Sequence, residues 1–196
     1  MDFFNIARVP LYQVMADNGT VIVFDTETTG LLDTDDVVQL AVVCMKKREV
    51  VFSKAVYLKN KVPIDGTEAQ KVNGITDEKL KKEGLEPEVV LTDFLALLEK
   101  TIEDEGMVLV VAHNLSFDYR MIVNMMRRYE VVDDLPERAM GCCTKEFVKS
   151  LQLPKSLLPG NHLRNCIKAF HLEAQNSHDA LDDAIACQKL FDFLTR

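Results

Sequence analysis

The sequence predicts a layered α/β domain. Three observations carry the prediction: β-branched, strand-length segments near the N-terminus, a continuous apolar run from Met107 to Ala112, and longer segments whose apolar residues recur at helical spacing. Val21-Ile-Val-Phe24, Val37 to Val43 and Val50 to Tyr57 read as a three-strand meander, separated by polar turns at Asp33 to Asp36 and Lys46 to Glu49. Gly66 to Lys71 reads as a short helix, Asn73-Gly74 as a turn, and Thr76 as the cap of a further helix. Pro87 opens a longer helix with Val90, Leu91, Phe94, Leu95, Leu97 and Leu98 on its apolar side. Met107 to Ala112 has the pattern of a strand covered on both faces. Phe117 to Tyr129, Lys145 to Leu151 and Asn161 to Phe170 read as helices, with a mixed stretch from Asp133 to Pro159. A long amphipathic helix from His178 to Leu194 closes the chain.

With 196 residues, 47% of them hydrophobic, and no Pro/Gly/Ser-rich linker, residues 1–196 are expected to form one domain with a sizeable core. That excludes a disordered or collagen-like polymer. Lys and Arg number 23 against 31 Asp and Glu, a formal charge of −8. A histone-like binder, which neutralises many phosphates, is excluded, and composition by itself points away from a polynucleotide partner. Met1 to Pro10 lacks the basic-then-apolar order of a signal peptide, and no run reaches the ~18–20 apolar residues of a membrane span. The five cysteines, Cys44, Cys142, Cys143, Cys166 and Cys187, match neither a zinc knuckle nor a redox CxxC pair. Reduced thiols and a cytoplasmic location are the expectation.

Several acids stand in places that cost free energy. Asp25 and Glu27 follow an apolar strand two residues apart, so on an extended backbone both carboxylates face the same way and repel each other. On a helical wheel, Asp118 shares a face with Leu115, Ile122, Met125 and Tyr129, whereas Arg120, Asn124 and Arg127 occupy the polar side. Asp183 lies with Ala180, Cys187, Leu190 and Leu194. Its neighbour Asp182 points toward solvent, and Asp179 is placed to serve the first amides of the helix. A carboxylate inside an apolar stripe needs a partner. Oxygen-only ligands from three separate segments suit Mg²⁺ or Mn²⁺ rather than zinc.

These residues fall into motifs. Phe24-Asp-Thr-Glu-Thr-Thr-Gly-Leu31, Ala112-His-Asn-Leu-Ser-Phe-Asp118 and His178-Asp-Ala-Leu-Asp-Asp-Ala184 resemble, in order and separation, the three motifs of the DEDDh exonucleases. These are ribonuclease H-like 3′→5′ exonucleases that include the proofreading epsilon subunit of bacterial DNA polymerase III. The resemblance runs from about Thr20 to Leu194 and implies a mixed central sheet, a three-strand meander plus parallel strands, flanked by helices. It further implies two Mg²⁺ or Mn²⁺ ions on Asp25, Glu27, Asp118 and Asp183. By the same resemblance His178 is the general base, a role that suits an imidazole because it exchanges protons near neutral pH. Thr28, Gly30 and Leu31 would lie against the terminal nucleotide, Leu31 on its base, with Asn114 and Phe117 lining the same space. The spacer Glu68-Ala-Gln-Lys-Val-Asn-Gly-Ile-Thr76 is similar to the family's, with Asn73 where many members have His; lying outside the three motifs, this departure puts no ligand in doubt.

The implied partner is the 3′ end of a nucleic acid, single-stranded or frayed DNA first and RNA second. The implied product is a nucleoside 5′-monophosphate. A ribonuclease T- or oligoribonuclease-like exoribonuclease, and an inactive polymerase-associated module, are the competing expectations. Arg196 follows almost directly on the third motif, so no stable polymerase subunit contact is expected, a surface contact staying open. Elsewhere the expectations are structural. His113 orders a turn, His162 and His171 are ordinary surface or half-buried histidines, and Met121, Met125 and Met126 fill the core. Lys46-Lys-Arg48 is a solvated turn, and Arg127-Arg128 offset the dipole of their helix.

Overall fold

Side-chain alternation along the first apolar strand determines how the layers assemble. In β1 (Thr20–Thr28), Val21 and Val23 point into one layer and Ile22 and Phe24 into the other, all four buried. The computed structural model describes residues 4–175 and 177–196, so the first three residues of the Met1–Pro10 segment lie outside it. Around β1 the sheet runs β3-β2-β1-β4-β5, with β2 (Val37–Lys46), β3 (Glu49–Tyr57), β4 (Val108–Ala112) and β5 (Ala139–Cys143). The pairs β1–β2 and β2–β3 are antiparallel, whereas β1–β4 and β4–β5 are parallel. This is the mixed sheet expected, and the carboxyl ends of its three parallel strands open on one edge. In open α/β sheets that edge is where ligands bind.

Helices α1 (Val9–Asn18) and α8 (Ala180–Leu194) cover the Val21 face through Tyr12, Met15, Ala184, Cys187 and Phe191. The Phe24 face packs on α4 (Pro87–Glu105) and α5 (Leu115–Arg128) through Leu91, Phe94, Leu98, Met121 and Ile122. The short helices α2 (Glu68–Asn73) and α3 (Asp77–Glu83) begin at Thr67 and Thr76, whose hydroxyls accept from the Gln70 and Lys79 amides. Gly74 ends α2 at φ 69°, a left-handed cap that glycine adopts without a Cβ clash. Helices α6 (Thr144–Ser150) and α7 (Leu163–Ala169) fill the space beneath α8.

Two elements, α1 and β5, have no counterpart among the sequence expectations, and three details differ from them. Helix α8 starts at Ala180, capped by Asp179 accepting from the Leu181 amide, so His178 precedes the helix. The Lys46–Arg48 turn is only partly solvated, because Arg48 donates to Asp17, Asp192 and Thr195 and so ties the hairpin to the C-terminus. Asp182 is half-buried and accepts from the Ser177 hydroxyl at 2.6 Å. All five cysteines are buried free thiols, and no helix among the described residues is long and apolar enough to cross a membrane.

Candidate active site

Four acids converge at the carboxyl end of β1. Asp25 and Glu27 project on the side of α8, and Glu27 stands opposite Gln39 on β2. From α8, Asp183 reaches toward them, only 7% exposed. Helix α5 lies on the other face of the sheet, yet Asp118 in its first turn arrives at the same end of the strand, 3% exposed. Thr26, between the two acids and pointing away from them, receives it: the Thr26 hydroxyl donates to Asp118 Oδ1 at 2.7 Å and the Thr26 amide to the same oxygen at 3.2 Å.

The electrostatics follow from this crowding. Burial, followed by the charges of Asp118, Asp183, Glu27 and Asp179, holds the Asp25 carboxyl well above the usual carboxylate range. Burial pushes Glu27 up to about 8; a hydrogen bond from the Asn73 amide opposes the shift, and Asp183, Asp118 and Asp179 reinforce it. Asp118 rises to about 7, burial outweighing its two bonds from Thr26. The leading charges acting on Asp25 and Glu27 are all other carboxylates. A set of hard oxygen donors that repel one another fits divalent cations such as Mg²⁺ or Mn²⁺.

His178 joins the acids from the segment before α8. One of its ring nitrogens and single carboxylate oxygens of Glu27 and Asp183 all lie within 4.8 Å of one another. The imidazole is exposed, and its backbone adopts φ 57°, a left-handed conformation that costs a non-glycine residue about 1–2 kcal/mol. Such strain concentrates at functional sites.

Beside the acids, a cleft of about 500 Å³ is lined by Thr28, Gly30, Leu31, Val72, Asn73 and Phe117, among others. Four of the five residues assigned to the terminal nucleotide are therefore grouped here. Asn114 is not among the lining residues. It precedes α5, where its carbonyl accepts from the Phe117 and Asp118 amides. Thr28 donates its hydroxyl to the Gly30 carbonyl at 2.6 Å, which shapes the wall of the cleft.

Sequence reasoning missed Thr26 and Gln39, and it set Asn73 apart from the ligands although that side chain hydrogen-bonds Glu27. Gln39 fixes the start of α8, with its Nε2 2.9 Å from Asp179 Oδ2 and its Oε1 accepting from the Ala180 amide. Asn73 contacts both Glu27 and the Thr28 carbonyl, although it lies outside the motifs. A polar residue at the Thr26 position, directly after Ile22 and Phe24 on the same strand face, was the available signal for the first of these.

A family model described as an exonuclease, RNase T, matches residues 22–191. The chain belongs to this exonuclease family. Family relatives include the DNA polymerase III PolC-type protein of Thermotoga petrophila, 29% identical over 184 residues, which are 92% of this chain and 12% of that one. The PolC-type protein of Listeria monocytogenes is 33% identical over 178 residues, 88% of this chain and 11% of that one. The DNA polymerase III subunit epsilon of Treponema pallidum is 26% identical over 181 residues, 86% and 73% of the two chains. The chain thus spans only about 12% of the PolC-type relatives. Among solved structures, E. coli exonuclease I in complex with a dT13 oligonucleotide shares the fold at a TM-score of 0.73 and 19% identity, covering 90% of this chain and 41% of that one. Exonuclease X in complex with 5′ overhanging duplex DNA does so at 0.62 and 22%, covering 89% and 90%.

Proposed function

We propose that the chain is a metal-dependent 3′→5′ exonuclease that removes nucleoside 5′-monophosphates from DNA ends. The observation that carries this reading is the convergence of Asp25, Glu27, Asp118 and Asp183 from three separate segments, with His178 beside them and a nucleotide-sized cleft adjoining. Two divalent cations held by these four carboxylates would polarise the scissile phosphate and acidify the attacking water. The chain's own residues do the rest. His178, exposed at the edge of the cluster, accepts the proton of that water and returns it to solvent. Backbone amides of the Thr28–Leu31 wall hold the terminal 3′-hydroxyl, and Leu31 and Phe117 present apolar surface to the base. Because the grip is on a terminal nucleotide rather than on many phosphates, a basic surface is not required, and the net charge of −8 is compatible with the substrate.

The fold shared with E. coli exonuclease I, solved in complex with a dT13 oligonucleotide, and the polymerase III relatives favour DNA over RNA and a proofreading or end-trimming role. The test is digestion of matched 5′-labelled DNA and RNA single strands with Mg²⁺, Mn²⁺ or EDTA. Stepwise shortening of DNA from its 3′ end with metal alone is the expected result. Faster turnover of RNA would reassign the substrate, and no release from either strand would reduce the chain to an inactive module.

A further inference from the structure

The loop that walls the nucleotide cleft is held in a way that the exonuclease reading leaves unused. Leu31 and Leu32 at its tip are 74% and 67% exposed, so apolar packing does not fix them. Polar ties to α5 do. Arg128, in the last turn, donates from Nη1 to the Thr34 carbonyl at 2.7 Å and from Nη2 to the Asp35 carbonyl at 2.6 Å. Its Nη1 also lies 3.2 Å from Oδ1 of Asp36, a carboxylate only 1% exposed whose other oxygen accepts from the Lys61 and Val62 amides at 2.7 Å. Two turns earlier, Arg120 pairs with Asp33, donates to the Leu31 carbonyl at 3.1 Å and lies over the Phe117 ring at 5.5 Å, so it braces both walls of the cleft. Inside the loop, the Asp35 carboxylate accepts from the Leu32 amide and occupies the space where any Cβ at Gly30 would sit.

We infer that Arg128, assisted by Arg120, is a positioning residue for the terminal nucleotide: it locks the Gly30–Asp36 loop to the same helix that delivers Asp118. A guanidinium suits this task because its planar fork reaches two carbonyls and a carboxylate at once, which an ammonium does not. The inference rests on the exonuclease reading for its kinetic consequence, but the clamp itself is measurable without substrate.

The test compares Arg128→Met, Arg128→Lys and Arg120→Met with Arg127→Met, whose parent residue donates to the Asp133 carbonyl instead. Loosening the wall removes binding shared by ground and transition states, so KM for a single-stranded oligonucleotide rises while kcat holds. Arg128→Met raises KM about tenfold or more, within the range expected for a misplaced binding group, and leaves kcat and the Mg²⁺ half-saturation within about twofold. Arg128→Lys stays impaired, Arg120→Met shows a smaller rise, and Arg127→Met matches the wild type. Amide exchange across residues 30–36 accelerates in substrate-free Arg128→Met. An unchanged KM in that variant, a parallel fall of kcat and metal affinity, or unaltered exchange at 30–36 would overturn the clamp. If the wild type releases no nucleotide, the exonuclease reading fails, and the exchange measurement still decides the clamp.

Discussion

The carboxyl ends of β1 and β4 are neighbours in the sheet, and each carries buried titratable side chains, yet they are built on opposite principles. At β4, His113 has its Nε2 2.9 Å from the Asn161 carbonyl and its Nδ1 2.9 Å from the Thr144 hydroxyl, behind which lies the Cys187 thiol at 3.6 Å. A carbonyl only accepts, so Nε2 carries the proton and Thr144 donates to Nδ1. Burial pushes this imidazole down to about 4, neutral at physiological pH. Every polar atom of the ring is satisfied inside the chain. At β1, by contrast, like charges are gathered and several carboxyls are raised toward neutrality. A cluster satisfied internally orders the fold, and one that repels itself is made to be completed from outside.

The largest expected effect separates the two regions by activity. Asp118→Ala lowers nucleotide release about a hundred- to a thousandfold, the scale of losing one preorganised transition-state contact, while circular dichroism stays native. His113→Ala, assayed per folded molecule, stays within a few-fold of the wild type. Equal losses in the two variants would erase the distinction. Next comes stability with metal. Saturating Mg²⁺ stabilises the wild type, by about 2.7 kcal/mol for each ion present at a hundred times its Kd, and so raises its melting temperature. Asp118→Asn melts higher than the wild type in EDTA, because it removes a repelling carboxylate, and gains little from Mg²⁺. The reverse order in EDTA would contradict the electrostatic account.

A comparable but metal-independent loss belongs to the other region. His113→Ala strands the Thr144 hydroxyl and the Asn161 carbonyl, at about 1–3 kcal/mol for each group left unpaired, read by urea denaturation. The smallest effect is in pH. In EDTA the folded state holds more protons than the unfolded chain between the ordinary carboxylate pKa and about 8, the value of Glu27, so the acid cluster loses stability as pH rises through that window. His113 acts oppositely. Its folded value of about 4 lies below the ordinary imidazole value, so it loses stability as pH falls toward 4. Adding Mg²⁺ therefore removes the alkaline limb alone and His113→Asn the acid limb alone, measured by thermal melts from pH 4 to 9.

Much of the architecture was legible because it rests on local pattern. The alternation of Val21 to Phe24 and the helical spacing of Val90 to Leu98 each match the element formed. The burial of Asp118 and Asp183 follows the wheel positions that singled them out. Helix α1 is short and only modestly amphipathic, and is fixed by long-range contacts such as the Tyr12 hydroxyl on the Gly141 carbonyl. Strand β5, Ala-Met-Gly-Cys-Cys, has little intrinsic strand preference and exists because β4 offers it a parallel partner. The same limit applies at the site. Thr26 meets Asp118 across 92 positions of sequence and Arg128 meets Thr34 across 94, so neither bond leaves a local trace.

The central claim is that the acids at the end of β1 serve chemistry on a nucleic-acid 3′ end. A 5′-labelled DNA single strand, incubated with purified protein and Mg²⁺, tests it most directly when products are resolved by size and the released nucleotide is identified. The account predicts a ladder that shortens from the 3′ end, nucleoside 5′-monophosphate as product, no shortening in EDTA, and shortening about a hundred- to a thousandfold slower with Asp118→Ala. Release of 3′-phosphates, internal cleavage, or activity that survives both EDTA and Asp118→Ala would contradict it.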